Sequence, residues 1–330
     1  MYKVLINVFG VKVQLLTTVS EFASFVRKNY SCFVQEEIKS PDILVTFSAS
    51  AGQNIEIEKD RLKYIEGGVY LGNQKIYWEN EFGFRVLLEC SNNDKFRLES
   101  FHNALLSKTS SESEKYENFQ RSMRWIIHFP VFVLLRLKQG KAVLHASAVE
   151  KDGHAIVFCG FNKVGKSTLA MYLTKMKGYK FMTENFLLFD SDKFYGFPER
   201  IRMDIASIKA LNIQDYDIKK IYGKHHIDLK RGDMCLSAKP HLFFIVTKGH
   251  DFGISKLSAY NTELMVNSLH SYLQEFPENS YFAFLPFIGI YCRKGFNGIN
   301  HILNKTNCFC LTHSNDWELS RVAEEVEKCI

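Results

Sequence analysis

The chain has 330 residues, of which 46% are hydrophobic and 24% charged, enough apolar material to bury a sizeable core and length for two domains. Its formal net charge of +6 suits an anionic small ligand, without the clustered basic footprint of a nucleic-acid binder. The longest apolar stretch, Trp125 to Leu137, is too short and carries Arg136, which excludes a membrane-spanning helix on the sequence pattern.

Residues 1 to about 110 read as mostly β. Tyr2 to Gly10 alternates apolar and polar and Val11 to Leu16 continues the alternation, so the N-terminus resembles a first strand and not a signal peptide. Thr18 to Tyr30 has helical spacing in Phe22, Phe25 and Val26, with Ser20 as a cap. A strand over Ile43 to Phe47 follows, then short strands punctuated by Gly52, Gly67-Gly68 and Gly72-Asn73. No catalytic constellation occurs here, so this half is a candidate recognition domain or a purely structural one.

Ser107 to Glu117 is the best linker, and residues 111–139 form the connection between the halves. A helix is expected from about Glu114 to Lys138, kinked or split at Pro130 and stopped by Gly140. From residue 140 onward the pattern alternates strands and helices. Ala142 to Glu150 and His154 to Cys159 form a hairpin, and a helix with Leu169, Leu173 and Met176 on one face ends at Gly178. Lys180 to Met182 is a short strand leading to Glu184-Asn185, with Phe186 to Asp190 returning as a hairpin and Phe194 to Phe197 as another strand. Ile205, Ile208 and Leu211 have helical spacing. His241 to Thr247 is an apolar strand, Asn261 to Gln274 a helix, Ile290 to Arg293 and Asn307 to Thr312 strands, and Asp316 to Lys328 a final helix.

Eight cysteines are scattered through the chain, none in a C-x-x-C pair, and they read as buried thiols of a reducing, cytoplasmic compartment. Cys308 and Cys310 alternate as strand residues do, leaving a metal site there as the less favoured alternative.

The most informative stretch is Gly160-Phe161-Asn162-Lys163-Val164-Gly165-Lys166-Ser167, which fits G-x-x-x-x-G-K-[ST] between an apolar strand and a helix. The pattern arises by chance in about one chain in a hundred of this length, and its flanking context makes chance rarer still. Glycines allow close approach of backbone to phosphate, and successive N–H groups with the positive helix end form an anion cradle. Gly160, Asn162, Lys163, Val164, Gly165, Lys166, Ser167 and Thr168 are therefore the expected nucleotide-binding residues. Lys166 would reach the terminal phosphates of ATP or another nucleoside triphosphate, and Ser167 would bind Mg²⁺.

Three further sets could join this loop. His145, one strand upstream, could steer or exchange a proton, although a lone strand histidine is more often structural. Glu184, beside Asn185 at the end of the next strand, could hold Mg²⁺ or take a proton from an attacking hydroxyl, because ligands of open α/β sheets sit at the carboxyl ends of strands. Asp190 ends a four-apolar run and rivals it for the metal, but a hairpin return would carry it away. Arg200, Arg202 and Lys224 are candidate phosphate clamps, with charged surface as the alternative.

Together the HASAV strand, the loop GFNKVGKSTLA and the acidic pair after the next glycine resemble the HPr kinase/phosphorylase family. They resemble more closely its N-terminally divergent relatives found beside peptide-modifying genes. The likeness covers roughly residues 140 to 200 and weakens toward 330. It implies a P-loop core of the phosphoenolpyruvate carboxykinase type on a mixed sheet over 140–330, behind a β-rich (α+β) N-terminal domain over 1–110. It also implies a homo-oligomer and ATP-Mg²⁺-dependent phosphoryl transfer to a hydroxyl, the expected acceptor being a serine of a peptide or protein. His145 stands at the family's strand histidine. The family's Asp-Asp pair, which serves as base and positions the metal, is replaced by Glu184 and Asn185. Asn185 supplies neither charge nor useful basicity. The alternatives are a nucleotide-binding sensor without turnover and a small-molecule kinase.

Overall fold

The structure, a computed structural model, describes residues 1–49, 62–64, 68–79, 84–91, 95–102, 111–197, 199–213, 217–221, 224–272, 298–314 and 318–330. The protein is a mixed α/β chain that divides into two compact units between Gly140 and Lys141. The expected strand Ile290 to Arg293 lies outside the described residues, as do Gly52, Gly67 and the first part of the expected linker, 107–110.

In the first unit, alternation of apolar and polar residues builds an eight-stranded sheet. Its strands are β1 (Tyr2–Val8), β2 (Val11–Thr17), β3 (Ile43–Ser48), β4 (Lys63–Tyr64), β5 (Val69–Gly72), β6 (Lys75–Glu79), β7 (Phe84–Ser91) and β8 (Lys95–His102). They lie in the order β1-β2-β3-β8-β7-β6-β5-β4. The pairs β2–β3 and β3–β8 are parallel and the others antiparallel. In β2, Val11, Val13 and Leu15 are buried and the residues between them half-buried, as period-two packing on one covered face requires. Helix α1 (Ser20–Asn29) buries Phe22, Ala23 and Val26, the residues its spacing selects.

Helix α2 (Glu112–Met123) starts at a capping box, in which the Ser111 hydroxyl accepts from Glu114 N and the Glu114 carboxylate accepts from Ser111 N. A five-residue π-helical segment, Arg124–His128, joins it to α3 (Phe129–Gln139). The interruption expected at Pro130 therefore takes the form of a π-helical turn just before it, between α2 and α3. Pro130 falls in the first turn of α3, directly after a widened turn where its missing N–H is accommodated. Gly140 closes α3 in the left-handed conformation, φ 69°. This helical run belongs to the first compact unit.

The second unit is organised around β9 (Ala142–Lys151), β10 (His154–Cys159), β11 (Lys180–Thr183), β12 (Phe186–Phe189), β13 (Phe194–Gly196), β17 (Ser237–Lys248), β18 (Gly253–Leu257) and β19 (Asn307–His313). Between β13 and β17, the strands β14 (Ile201–Met203), β15 (Asp217–Ile221) and β16 (Lys224–Asp228) form a separate three-stranded antiparallel sheet. The main sheet is mixed. β10, β17 and β19 run parallel, while β9 is antiparallel to β10 and to both β11 and β12. Pairings β9–β10, β10–β17, β17–β13, β13–β12 and β12–β9 run round in a ring. Phe158, Phe244 and Phe309 stack across the three parallel strands at ring separations of 5.7 and 5.4 Å.

This pairing corrects one expectation. Phe186 to Asp190 does not turn back at Glu184-Asn185. β11 and β12 both lie antiparallel along β9, Thr183 opposite Ala148 and Phe186 opposite His145, so Glu184-Asn185 interrupts one continuous edge. The strand does not reverse because Phe186–Phe189 is buried throughout and finds its partners on the same neighbour.

Helix α4 (Lys166–Lys177) follows the glycine loop. It packs with α8 (Leu319–Glu327) in a core that includes Leu169, Leu173, Phe158, Phe244, Val322 and Val326. A second core on the other side of the strands gathers Leu144, Val157, Phe243 and Ile245 with α6 (Ala259–Tyr272) and α7 (Asn300–Leu303). Helix α5 (Ile205–Ala210) is capped by Asp204, whose carboxylate accepts from Ser207 N. The final helix begins later than its spacing suggests, and Asp316 and Trp317 lie outside the described residues.

Candidate functional site

The parallel strands β10, β17 and β19 all end on one side, where Cys159, Lys248 and His313 give way to loops. The loop from Gly160 to Gly165 leaves β10 at that edge and enters α4. Gly160 is required by close approach, since a Cβ there would meet the Val246 carbonyl oxygen at 2.3 Å. Gly165 is the N-cap of α4 with φ 93°, and Lys163 adopts φ 66°, so the loop closes through left-handed positions. No side chain caps α4. The first-turn N–H groups of Lys166, Ser167 and Thr168 therefore face the loop without an intrahelical partner, and the positive helix end is open to an anion.

Lys166 is buried, and its Nζ donates to the carbonyl oxygens of Gly160 and Phe161, both at 2.8 Å. Burial pushes its pKa below the ordinary lysine value, opposed by its attraction to the neighbouring Cys159 sulfur and the Glu184 carboxylate. The same burial pushes the Cys159 thiol up to about 12, so this cysteine is an inert neutral neighbour. Val164 is buried, whereas Asn162 and Lys163 are exposed at the outer turn. Thr168 Oγ1 and Ser207 Oγ of α5 lie 3.1 Å apart and share a hydrogen bond.

Glu184 and Asn185 are both buried, and they sit opposite Ser147 and Ala146 of β9. Ala146 N donates to Asn185 O at 3.3 Å, and Ser147 Oγ donates to Glu184 O at 2.9 Å. Ser147 Oγ also lies 3.3 Å from Ser167 Oγ. One buried hydroxyl therefore ties the acidic turn to the first turn of α4. Glu184 Oε2 accepts from Arg202 N at 2.9 Å, with Arg202 Nε at 3.8 Å. The strand β14 thus delivers Arg202 to the carboxylate expected to serve the site.

The remaining candidates separate by position. His145 lies on β9, opposite Phe186, and its carbonyl accepts from Cys159 Sγ at 3.7 Å, so its backbone borders the start of the loop. By period two it shares a strand face with Ser147. Asp190 is remote, since Phe189 pairs with Ala142, roughly 13 Å of strand from Ala146. Its carboxylate is committed to Tyr195 Oη at 2.6 Å, Lys141 Nζ at 3.3 Å and the backbone N–H groups of Asp192 and Lys193. Arg200 is paired through two nitrogens with Asp228, at 2.5 and 3.1 Å. The Lys224 side chain lies outside what the structure describes. Cys308 faces the core and Cys310 is half-buried, and among the described residues no three His, Cys, Asp or Glu side chains form a metal-binding group.

Two residues of the site escaped the sequence reading as individuals. Ser147 was visible only as the i+2 neighbour of His145. His313, at the end of β19, packs over Gly165 with its ring 3.4 Å from a hypothetical Cβ. Its Nε2 lies 3.0 Å from Val164 O and its Nδ1 3.0 Å from Ser314 O. Nothing local in the sequence marks that residue.

The donor set can be compared with the groups expected here. Ser167 and Glu184 are hard oxygen ligands, too few for a protein cage. Mg²⁺ commonly takes one or two protein oxygens and completes its shell with phosphates and water, so they fit it. The uncapped helix end and the glycine cradle fit the phosphates. Among the described residues no helix is long and apolar enough to cross a membrane. No model of a known protein family matches the chain, and no curated protein matches it.

Proposed function

We propose that the second unit binds a nucleoside triphosphate with Mg²⁺, ATP being the expected one, and transfers its γ-phosphoryl group to a hydroxyl, in the manner of the HPr kinase-like proteins its loop resembles. The observation that supports this reading best is the convergence of an uncapped helix N-terminus, a buried Lys166 and the Ser147–Ser167–Glu184 cluster at the carboxyl end of β10. Such reactions are carried mainly by positioning and electrostatics.

The roles follow from the chemistry of each group. Backbone N–H groups of the loop and of Lys166 to Thr168 cradle the phosphates. Lys166 exchanges its two carbonyl partners for phosphate oxygens, and a cation already short of water gains strongly from that exchange. Bound Mg²⁺ would neutralise charge on the phosphates, held by Ser167 and Glu184. The acceptor oxygen bonds to phosphorus as the bond to the bridging oxygen of the leaving diphosphate breaks, and Glu184 takes the acceptor's proton. His145 borders the loop and assists in orientation. A serine of a peptide or protein is the proposed acceptor, with the first unit as its recognition element.

A second reading has an observation in its favour. Glu184 is already engaged by Arg202, and Asn185 supplies no second carboxylate. Both fit a nucleotide-binding module without turnover. The test is ADP release from Mg²⁺-ATP with serine-containing acceptors, in the wild type and in Asn185→Asp. Turnover that rises in the variant supports the kinase. Binding with no turnover in either supports the sensor, and absence of binding refutes both.

A further inference from the structure

The hydroxyl of Ser147 is wholly buried, whereas Ser167 is half-buried at the loop. Ser147 Oγ lies 2.9 Å from the carbonyl oxygen of Glu184 and 3.3 Å from Ser167 Oγ. A carbonyl oxygen can only accept, so the single Ser147 proton goes to Glu184. The contact between the two serines must then be donated by Ser167. The hydrogen bonds thus run in one direction, from Ser167 O–H to Ser147 O–H to the Glu184 carbonyl. This assignment follows from the partners and from the one-proton inventory of a hydroxyl.

A hydroxyl that ligates a cation does so with a lone pair and needs an acceptor for its own proton on the other side. Ser147 is that acceptor, and it is itself oriented by the backbone of the residue whose side chain would hold the same cation. We propose that Ser147 is a positioning residue for the divalent cation that accompanies the nucleotide: it draws the Ser167 proton inward and turns the Ser167 lone pairs outward, toward the phosphates. This inference rests on the proposed nucleotide-binding reading. It adds a cation-specific role for a residue that touches neither metal nor nucleotide.

The arrangement makes the effect separable. Ser147 contributes nothing to the phosphate cradle, which is built from the loop backbone and Lys166. Its removal should therefore spare nucleotide affinity in the absence of divalent cation and reduce the increment that Mg²⁺ adds. Outer-shell partners of metal ligands typically govern tenfold or more of metal affinity.

The experiment is an isothermal titration of ATP, with excess Mg²⁺ and with EDTA, into wild type, Ser147→Ala, Ser147→Thr, Ser167→Ala and the double alanine variant. The expected result is an EDTA affinity unchanged by Ser147→Ala and a Mg²⁺ increment reduced about tenfold. Ser147→Thr, which keeps the hydroxyl, should retain the increment. In the Ser167→Ala background, Ser147→Ala should have no further effect, because the proton it accepts is gone. A full Mg²⁺ increment in Ser147→Ala overturns the inference while leaving the nucleotide site standing. An equal loss in Mg²⁺ and EDTA also overturns it, marking Ser147 as a packing residue only. A wild type that binds ATP in neither condition overturns the underlying reading as well.

Discussion

Arg202 donates its backbone N–H to Oε2 of Glu184 at 2.9 Å, and its guanidinium stands 3.8 Å from the same oxygen. The carboxylate is thereby fixed from the strand β14, while its own backbone carbonyl is fixed from β9 by Ser147. Glu184→Gln preserves the shape and the backbone bond but removes the charge. In this variant ATP binding in EDTA should be unchanged and phosphoryl transfer should fall at least a hundredfold, the usual contribution of a general base. Calorimetry and ADP release measure the two separately.

Lys166 gives the site a pH signature. Burial lowers its pKa in the folded protein relative to the unfolded chain. Between the two values the unfolded chain holds the extra proton, so stability should rise with pH through that interval and level off above the ordinary lysine value of about 10.4. Phosphate affinity should move the other way, weakening as Lys166 loses its charge. A titration of ATP binding over alkaline pH should therefore show the decline beginning below the range of an exposed lysine.

Gly160 tolerates no side chain. Alanine would place a Cβ 2.3 Å from the Val246 carbonyl oxygen, which belongs to the central strand β17 and has no room to retreat. Gly160→Ala should cost about 1–3 kcal/mol of stability, seen as a lower Tm. It should also weaken ATP binding, because the loop must shift away from the strand.

His313 connects β19 to the loop through Val164 O. Replacing it with alanine removes one hydrogen bond, worth about 1 kcal/mol, from a part-exposed contact. The Tm should fall by a few degrees, and ATP affinity should drop by up to about fivefold. A His313→Ala protein that binds ATP as the wild type does would show that the His313–Val164 contact plays no part in ordering the loop.

How much of this was legible follows from where the information lies. Strand β10, the glycine loop and α4 are encoded in one continuous stretch, because the glycine, lysine and hydroxyl residues of such a loop fall at fixed spacing between a strand and a helix. The stop at Gly140 is local in the same way, whereas the capping box at Ser111 lies in a polar stretch that reads only as a linker. The continuous β11–β12 edge was not legible. Phe186 to Asp190 reads on its own as a returning hairpin, and its continuation is decided by pairing with β9, some forty residues earlier in the chain. His313 reaches Val164 from 149 residues away, and Arg202 reaches Glu184 across a chain reversal. Such contacts depend on sheet register, which no local pattern specifies.

The measurement closest to the central claim is a calorimetric titration of ATP with Mg²⁺ into the wild type and into Lys166→Ala, with thermal melts confirming that both are folded. The account predicts saturable one-site binding by the wild type and an affinity at least tenfold weaker in the variant, since a buried charged hydrogen-bond donor is worth about 1.5–3 kcal/mol. Equal binding by the two folded proteins, or no binding by the wild type, would contradict it.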